Sequence, residues 1–344
     1  MNMNRDRVPL SVLDLAVVGE GGTSASALAD TTLLAKQAEG FGYTRFWVAE
    51  HHNMPLVAST TPPVLIAHLA AATSTIRVGS GGVMLPNHPS LVVAEQFALL
   101  EALHPGRIDL GIGRAPGTDP ATAAALRRAP AALGAEDFPR HLIELMGLLG
   151  DPRTKEGIWN RFAATPAATS APTIILLGSS DYSAQLAGQL GLPFVFANHF
   201  DTGGTLDALD LYRQNFRPSP VLDQPYAIVT ASVLVAETDE QATWFAAPGQ
   251  LAMLAIRTGR RIPLLSPEAA AAHPDLPLAR QLPTNRIVGT PAAVVARIEQ
   301  LSQQTTANEI MVTSLTHGIR ERVRSLELLA EAWYQPVAHY SEVG

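Results

Sequence analysis

Short apolar runs alternate with helix-length segments along almost the whole chain, and this rhythm restricts the fold more than any other feature. Leu10–Val18, Arg45–Ala49, Thr75–Leu85, Arg107–Ile112, Ser170–Leu177, Pro193–Ala197, Tyr226–Val235 and Ile310–Thr313 read as strands. An unbroken apolar run such as Ile174–Leu177 suits a strand buried on both faces, as in a parallel sheet. Helix starts lie between the strands: Ser24 or Ser26 as a cap, then Thr61-Pro62-Pro63, Asp239 and Thr290-Pro291. Asp119–Arg128 and Phe138–Leu149 are also helical, with a break at Pro130. A doubly wound open sheet fits the local pattern equally well. Eight β–α units and the lack of a GxGxxG opening turn favour a closed α/β fold, the (β/α)8 TIM barrel. Such a barrel holds 344 residues in one domain, so residues 1–344 are read as a single unit.

Residues 258–285 break the rhythm with Pro263, Pro267, Pro274, Pro277 and Pro283. This irregular, Pro-rich insertion late in the chain fits a lid over the barrel mouth, and equally a surface excursion.

Composition removes several function classes. Hydrophobic residues make up 47% and charged residues 16%, enough apolar material for a large core and too little charge for disorder. The net charge is −7 with no Lys/Arg run, which argues against nucleic acid and anionic membrane surfaces as partners. There is no cysteine, so disulfides, thiolate catalysis and Cys-ligated metals are excluded; a cytoplasmic setting fits. Arg5 and Arg7 ahead of Val8–Val18, with Ser24-Ala25-Ser26-Ala27 behind, imitate a signal peptide, but Pro9 and Asp14 interrupt the apolar run. It reads as a first buried strand. No apolar stretch reaches the length of about 18 residues that a membrane span requires.

In a barrel, functional groups sit at the C-terminal ends of strands. Those ends carry Glu50-His51-His52, Gly81-Gly82 through Asn87-His88-Pro89, Gly113-Arg114, Gly178-Ser179-Ser180, Asn198-His199-Phe200-Asp201 and Thr313 through His317. The histidines, with Glu50 or Asp201, have the chemistry of metal ligands. However, adjacent strand residues point to opposite faces, so His51 and His52 do not easily share an ion, and no metal is expected. Gly178-Ser179-Ser180 is a strand–Gly–hydroxyl turn entering a helix, suited to an anion with Arg114 as fixed charge. A plain helix cap and a solvated arginine are the ordinary alternatives.

Together, Glu50-His51-His52, VGSGGVMLPNHP (Val78–Pro89) and GRIDLGIGRAPG (Gly106–Gly117) resemble the bacterial luciferase-like flavin monooxygenase family. Leu176–Phe200 and Val288–Pro291 continue the resemblance more loosely, and the Pro-rich stretch matches least. The resemblance implies a (β/α)8 barrel, usually dimeric, that takes FMN, reduced FMN as co-substrate, or the deazaflavin F420. It implies His51 as the active-site histidine, Arg114, Ser179 and Ser180 beside Gly178 at the flavin phosphate, and a bulge at Gly81-Gly82, with a cis peptide bond, behind the flavin ring. Where the light-emitting enzyme carries a cysteine, this chain has Gly113, so light emission is not implied.

The expected activity is therefore a monooxygenase acting with reduced FMN and O2 on a small organic substrate, with a flavin reductase as a further partner. An F420- or FMN-dependent dehydrogenase and a non-enzymatic flavin-binding protein on the same scaffold are the alternatives. Oxygen chemistry on a flavin needs a dry pocket, fixed donors and an acid–base group. An imidazole such as His51 titrates near neutral pH and suits the last role.

Overall fold

The computed structural model describes residues 7–115, 118–127, 137–154, 156–162, 164–200, 203–260 and 262–334. Arg5, Gly117, Arg128, Pro130 and Asp201 lie outside them.

Ten strands form one parallel system: β1 (Leu10–Asp14), β2 (Arg45–Val48), β3 (Arg77–Ser80), β4 (Val83–Met84), β5 (Ile108–Gly113), β6 (Thr173–Gly178), β7 (Phe194–Phe196), β8 (Ala227–Val235), β9 (Ile287–Gly289) and β10 (Glu309–Thr313). The chain runs β1, β2, β3, β5, β6, β7 and β8 in order around the sheet, and β10 bonds to both β8 and β1. That double pairing closes the barrel and rules out the open sheet. β4 continues β3 beyond Gly81-Gly82, and the peptide bond between those glycines is cis. β9, which the sequence pattern did not suggest, extends the C-terminal half of β8, pairing Val233 with Ile287.

Twelve helices are described among these residues: α1 (Ser24–Gly40), α2 (Pro62–Ala72), α3 (Ser90–Leu103), α4 (Pro120–Arg127), α5 (Phe138–Leu148), α6 (Asp181–Gln189), α7 (Thr205–Asn215), α8 (Asp239–Arg257), α9 (Pro267–Ala271), α10 (Leu276–Arg280), α11 (Pro291–Thr305) and α12 (Ile319–Tyr334). The cap of α1 is Thr23, one residue earlier than expected. Its side chain accepts from the Ser26 amide, and the Ser26 hydroxyl accepts from the Thr23 amide, so Ser26 completes a capping box. The first strand stops at Asp14 rather than Val18. The chain turns there, with Ala16 at φ +50° and Val17 bridging to Val57.

Strand side chains alternate between two cores, as period-2 geometry requires. Val12, Phe46, Val78, Leu110, Leu176 and Phe194 face outward into the layer beneath the helices. Leu13, Trp47, Ile175, Val195, Ile228 and Met311 face inward and fill the barrel. Below that apolar layer lies a charged floor. Arg45 reaches Asp109 at 2.9 Å and Glu309 at 2.8 Å, while Arg77, Trp47 and Tyr226 supply further donors to the two carboxylates. The bottom of the barrel is thus plugged, and open space is left at the C-terminal ends of the strands.

Candidate active site

At that end lies a cavity of about 470 Å³. His51, Gly81, Gly82, Arg114, Gly178, Ser179 and Ser180, which sit on four separate strand ends, all line it. The barrel's apolar layer forms its base through Leu13, Val195 and Met311.

At Gly82 the backbone of β5 leaves no room for a side chain, and at Gly81 the Leu13 side chain would have to move. A Cβ on Gly82 would stand 2.8 Å from the Gly111 carbonyl oxygen, and one on Gly81 would stand 2.5 Å from Leu13 Cδ1. Backbone rather than side chain therefore forms the cavity wall at this point.

The histidines divide between two tasks. His52 and His88 each place Nε2 2.8 Å from the same oxygen of buried Glu50, whose other oxygen accepts from the Met84 amide at 3.0 Å. Burial pushes the Glu50 carboxyl up, but the His88 bond and charge, the His52 bond and the Met84 amide together hold it below the ordinary glutamate value. Glu50 thus ties β2 to β4 behind the cavity wall. His317 lies outside the cavity lining, 3.2 Å from the Glu20 carbonyl. Among the described residues no group of three His, Asp or Glu side chains is placed to hold a metal.

His51 and His199 face the cavity. His199 was expected only as a polar residue at a strand end, yet it is the more constrained of the two. Its Nδ1 lies 2.6 Å from Thr230 Oγ1, and the Thr230 hydroxyl donates to the Phe196 carbonyl at 3.2 Å. This pattern assigns the proton to Nδ1 and leaves Nε2 with a lone pair. Burial, and then the charge of neighbouring His51, lower the His199 pKa to about 4, so it is neutral at pH 7.

The end of the cavity at Arg114, Ser179 and Ser180 is equally open. Ser180 is the N-cap of α6, but its side chain makes no capping hydrogen bond, and Ser179 beside it is exposed. The Arg114 guanidinium stacks on the Tyr182 ring, 4.4 Å from its centroid.

The opposite side of the cavity comes from α8 and from the Pro-rich segment, whose residues Ala279 to Asn285 reach the barrel mouth. Residues 258–285 are more regular than expected, since α9 and α10 pack on α8 around Leu251, Leu254, Ala270, Leu276 and Ala279. The Glu20 amide donates to the Leu264 carbonyl at 2.8 Å, which fastens the segment to the loop after β1. Gln250, Asn285 and Arg286 line the cavity from this side. For α8 itself the sequence carries a further signal in Pro248-Gly249, a pair that breaks ordinary helix composition. The described lining contains four arginines (Arg114, Arg257, Arg280 and Arg286) and no Asp, Glu or Lys, in a chain of net charge −7.

Known proteins agree with this architecture. The uncharacterized protein YvbT of Bacillus subtilis (strain 168) is 46% identical over 337 residues, covering 96% of this chain and 98% of that protein. The luciferase-like monooxygenase of Escherichia coli (strain K12) is 40% identical over 332 residues, covering 95% and 97% of the two chains. The crystal structure of apo-MsnO8 superimposes with a TM-score of 0.89 at 39% identity, covering 96% of this chain and all of that one (100%). The family model described as luciferase-like monooxygenase matches residues 8–309, and the chain belongs to that family.

Proposed function

We propose that the protein is a flavin-dependent monooxygenase that uses reduced FMN and O2 on a small organic substrate. The observation that carries this reading is the convergence of His51, Gly81-Gly82, Arg114 and Ser179-Ser180 on one cavity free of carboxylates among its described lining. The site fits the cofactor. The unbonded Ser180 hydroxyl, Ser179, and Arg114 would hold the phosphate by charge-assisted hydrogen bonds. The backbone at Gly81-Gly82 and the apolar base beside Leu13 and Met311 would take the ring, and the volume of about 470 Å³ is in the range of ligand pockets.

When bound, reduced flavin supplies the electrons that activate O2. The chain's contribution is to exclude water with the α8–α10 side, to orient substrate with Gln250 and Asn285, and to manage protons. His51 exchanges the proton with the reacting centre, and His199 Nε2 accepts a hydrogen bond. The phosphate end lies at an exposed rim, which supports exchange of FMN with solvent and reduction by a separate flavin reductase. Exposed Val64 on α2 and Leu103 on α3, at 70% and 60%, offer an apolar face for a second copy, in keeping with a homodimer. No described helix is long and apolar enough to cross a membrane. Together with the lack of cysteine, this supports a cytoplasmic location.

Anaerobic calorimetry should show reduced FMN binding more tightly than oxidised FMN. Arg114→Ala and Ser179→Ala should each weaken FMN binding by about 10–100-fold while leaving riboflavin, which has no phosphate, unaffected. With a substrate and 18O2, one labelled oxygen should enter the product. Substrate oxidation that reduces F420 without O2 uptake would instead identify a dehydrogenase. Failure to bind FMN, reduced FMN or F420 would remove the flavin reading altogether.

A further inference from the structure

Arg286 stands out among the arginines near the barrel. Arg45 is matched by Asp109 and Glu309, and Arg322 by Asp14. Arg286 has no such match. Its backbone amide donates to Thr284 Oγ1 at 3.1 Å and its carbonyl accepts from Arg297 at 2.9 Å, but among the described residues its guanidinium has no acceptor and no counter-ion. Burial alone lowers its pKa to about 10, so it stays charged at neutral pH. A half-buried cation at a cavity wall, with no counter-ion among the described residues, is left to be matched by something else in the functional state.

The surroundings are shaped to keep it there. A Cβ on Gly249 would stand 2.4 Å from Arg286 Nη2 and 2.7 Å from the Leu315 carbonyl. The glycine in the middle of α8, a poor helix residue, leaves the room that the guanidinium occupies at the cavity wall. Next to each of these residues in the chain is a second unsatisfied group. Gln250 Oε1, beside Gly249, and Asn285 Oδ1, beside Arg286, are both buried without a hydrogen-bond partner. All three polar side chains line the cavity.

Arg286 comes from a different part of the barrel rim than the positions proposed for the flavin phosphate. Arg114 and Ser179 follow β5 and β6, whereas Arg286 precedes β9, which pairs with β8, three strands further round the barrel from β5. We propose that Arg286 binds a carboxylate of the organic substrate, with Gln250 and Asn285 hydrogen-bonding the polar groups next to it. The planar guanidinium fork matches a carboxylate in two parallel hydrogen bonds. The assignment rests on the flavin monooxygenase reading for the word substrate, but the anion site itself does not depend on that reading.

The test pairs each carboxylate with its uncharged isostere. Acetate, butyrate and hexanoate are titrated against acetamide, butyramide and hexanamide by NMR, using wild type, Arg286→Met and Arg286→Lys, each with and without FMN. Wild type should prefer the carboxylates by about 10–100-fold, Arg286→Met should lose the preference, and Arg286→Lys should restore part of it. FMN affinity should be the same in all three proteins. Arg286→Met should unfold close to the wild-type temperature, because the guanidinium has no ion pair among the described residues to lose. Equal binding of acid and amide, or binding of neither, overturns the proposal. A loss of FMN affinity in Arg286→Met also overturns it and assigns the guanidinium to the flavin. A lower unfolding temperature with carboxylate preference intact leaves Arg286 a structural residue. Arg286-dependent carboxylate binding by a protein that binds no flavin would sustain this inference and sink the flavin reading.

Discussion

At the scale of single residues, two histidines, His51 and His199, share one cavity. His51 lines the cavity, and under the proposed proton-transfer role His51→Ala should leave FMN binding intact while lowering turnover by about 10²–10⁴-fold. Steady-state kinetics beside a binding titration would separate the two effects. His52→Ala should cost far less turnover, because His52 points at Glu50 and not into the cavity. His199 carries a pH signature. Its pKa is about 4 in the fold against 6.5 for a free imidazole. Between those values the unfolded chain binds a proton that the folded chain does not, so stability is lost as pH falls from about 6.5 towards 4. The loss should be on the order of 2–3 kcal/mol. His199→Gln should flatten this part of a stability–pH curve measured by urea unfolding. An unchanged slope would mean that His199 protonates in the fold as readily as outside it.

At the scale of elements, the charged floor fixes strands to one another. Asp109 on β5 accepts from Arg45 and Trp47 on β2 and from Arg77 on β3, and it is fully buried. Asp109→Ala would leave Arg77 without its carboxylate, Arg45 with Glu309 as its one remaining carboxylate, and the Trp47 indole N–H without its acceptor. It should lower stability by about 3–5 kcal/mol, the usual effect of removing one partner of a buried ionic network. Denaturant unfolding monitored through tryptophan fluorescence measures this directly, since Trp47 is part of the same network. A change below about 1 kcal/mol would show that water or rearrangement compensates for the missing carboxylate.

At the scale of the whole molecule, α2 and α3 present apolar side chains that this chain does not cover. Val64 and Leu103 are the most exposed of them. A double change, Val64→Glu with Leu103→Glu, should shift a homodimer to monomer in analytical ultracentrifugation without altering the circular dichroism spectrum. Dimers that persist unchanged would place the interface elsewhere.

The sequence by itself determined the eight parallel strands and favoured a barrel, while the pairing of β10 with both β8 and β1 decided closure. The barrel's parallel strands are buried on both faces, so they appear as apolar runs, and the eight runs that sequence patterns identify are the eight strands that close it. It also marked the strand ends from which His51, Gly81-Gly82, Arg114 and Gly178-Ser179-Ser180 reach the cavity, because a barrel directs those ends to one side. Short elements were not legible. β9 has three residues and α9 and α10 five each, too few for periodicity to register. Nor could sequence show that His52 and His88 share Glu50, or that Gln250, Asn285 and Arg286 meet the cavity beside His199. The first relation depends on how the segments after β2 and β4 meet, and the second on how α8 and the Pro-rich segment fold back over the barrel mouth. Only tertiary structure decides which polar groups are buried with a partner and which are buried without one.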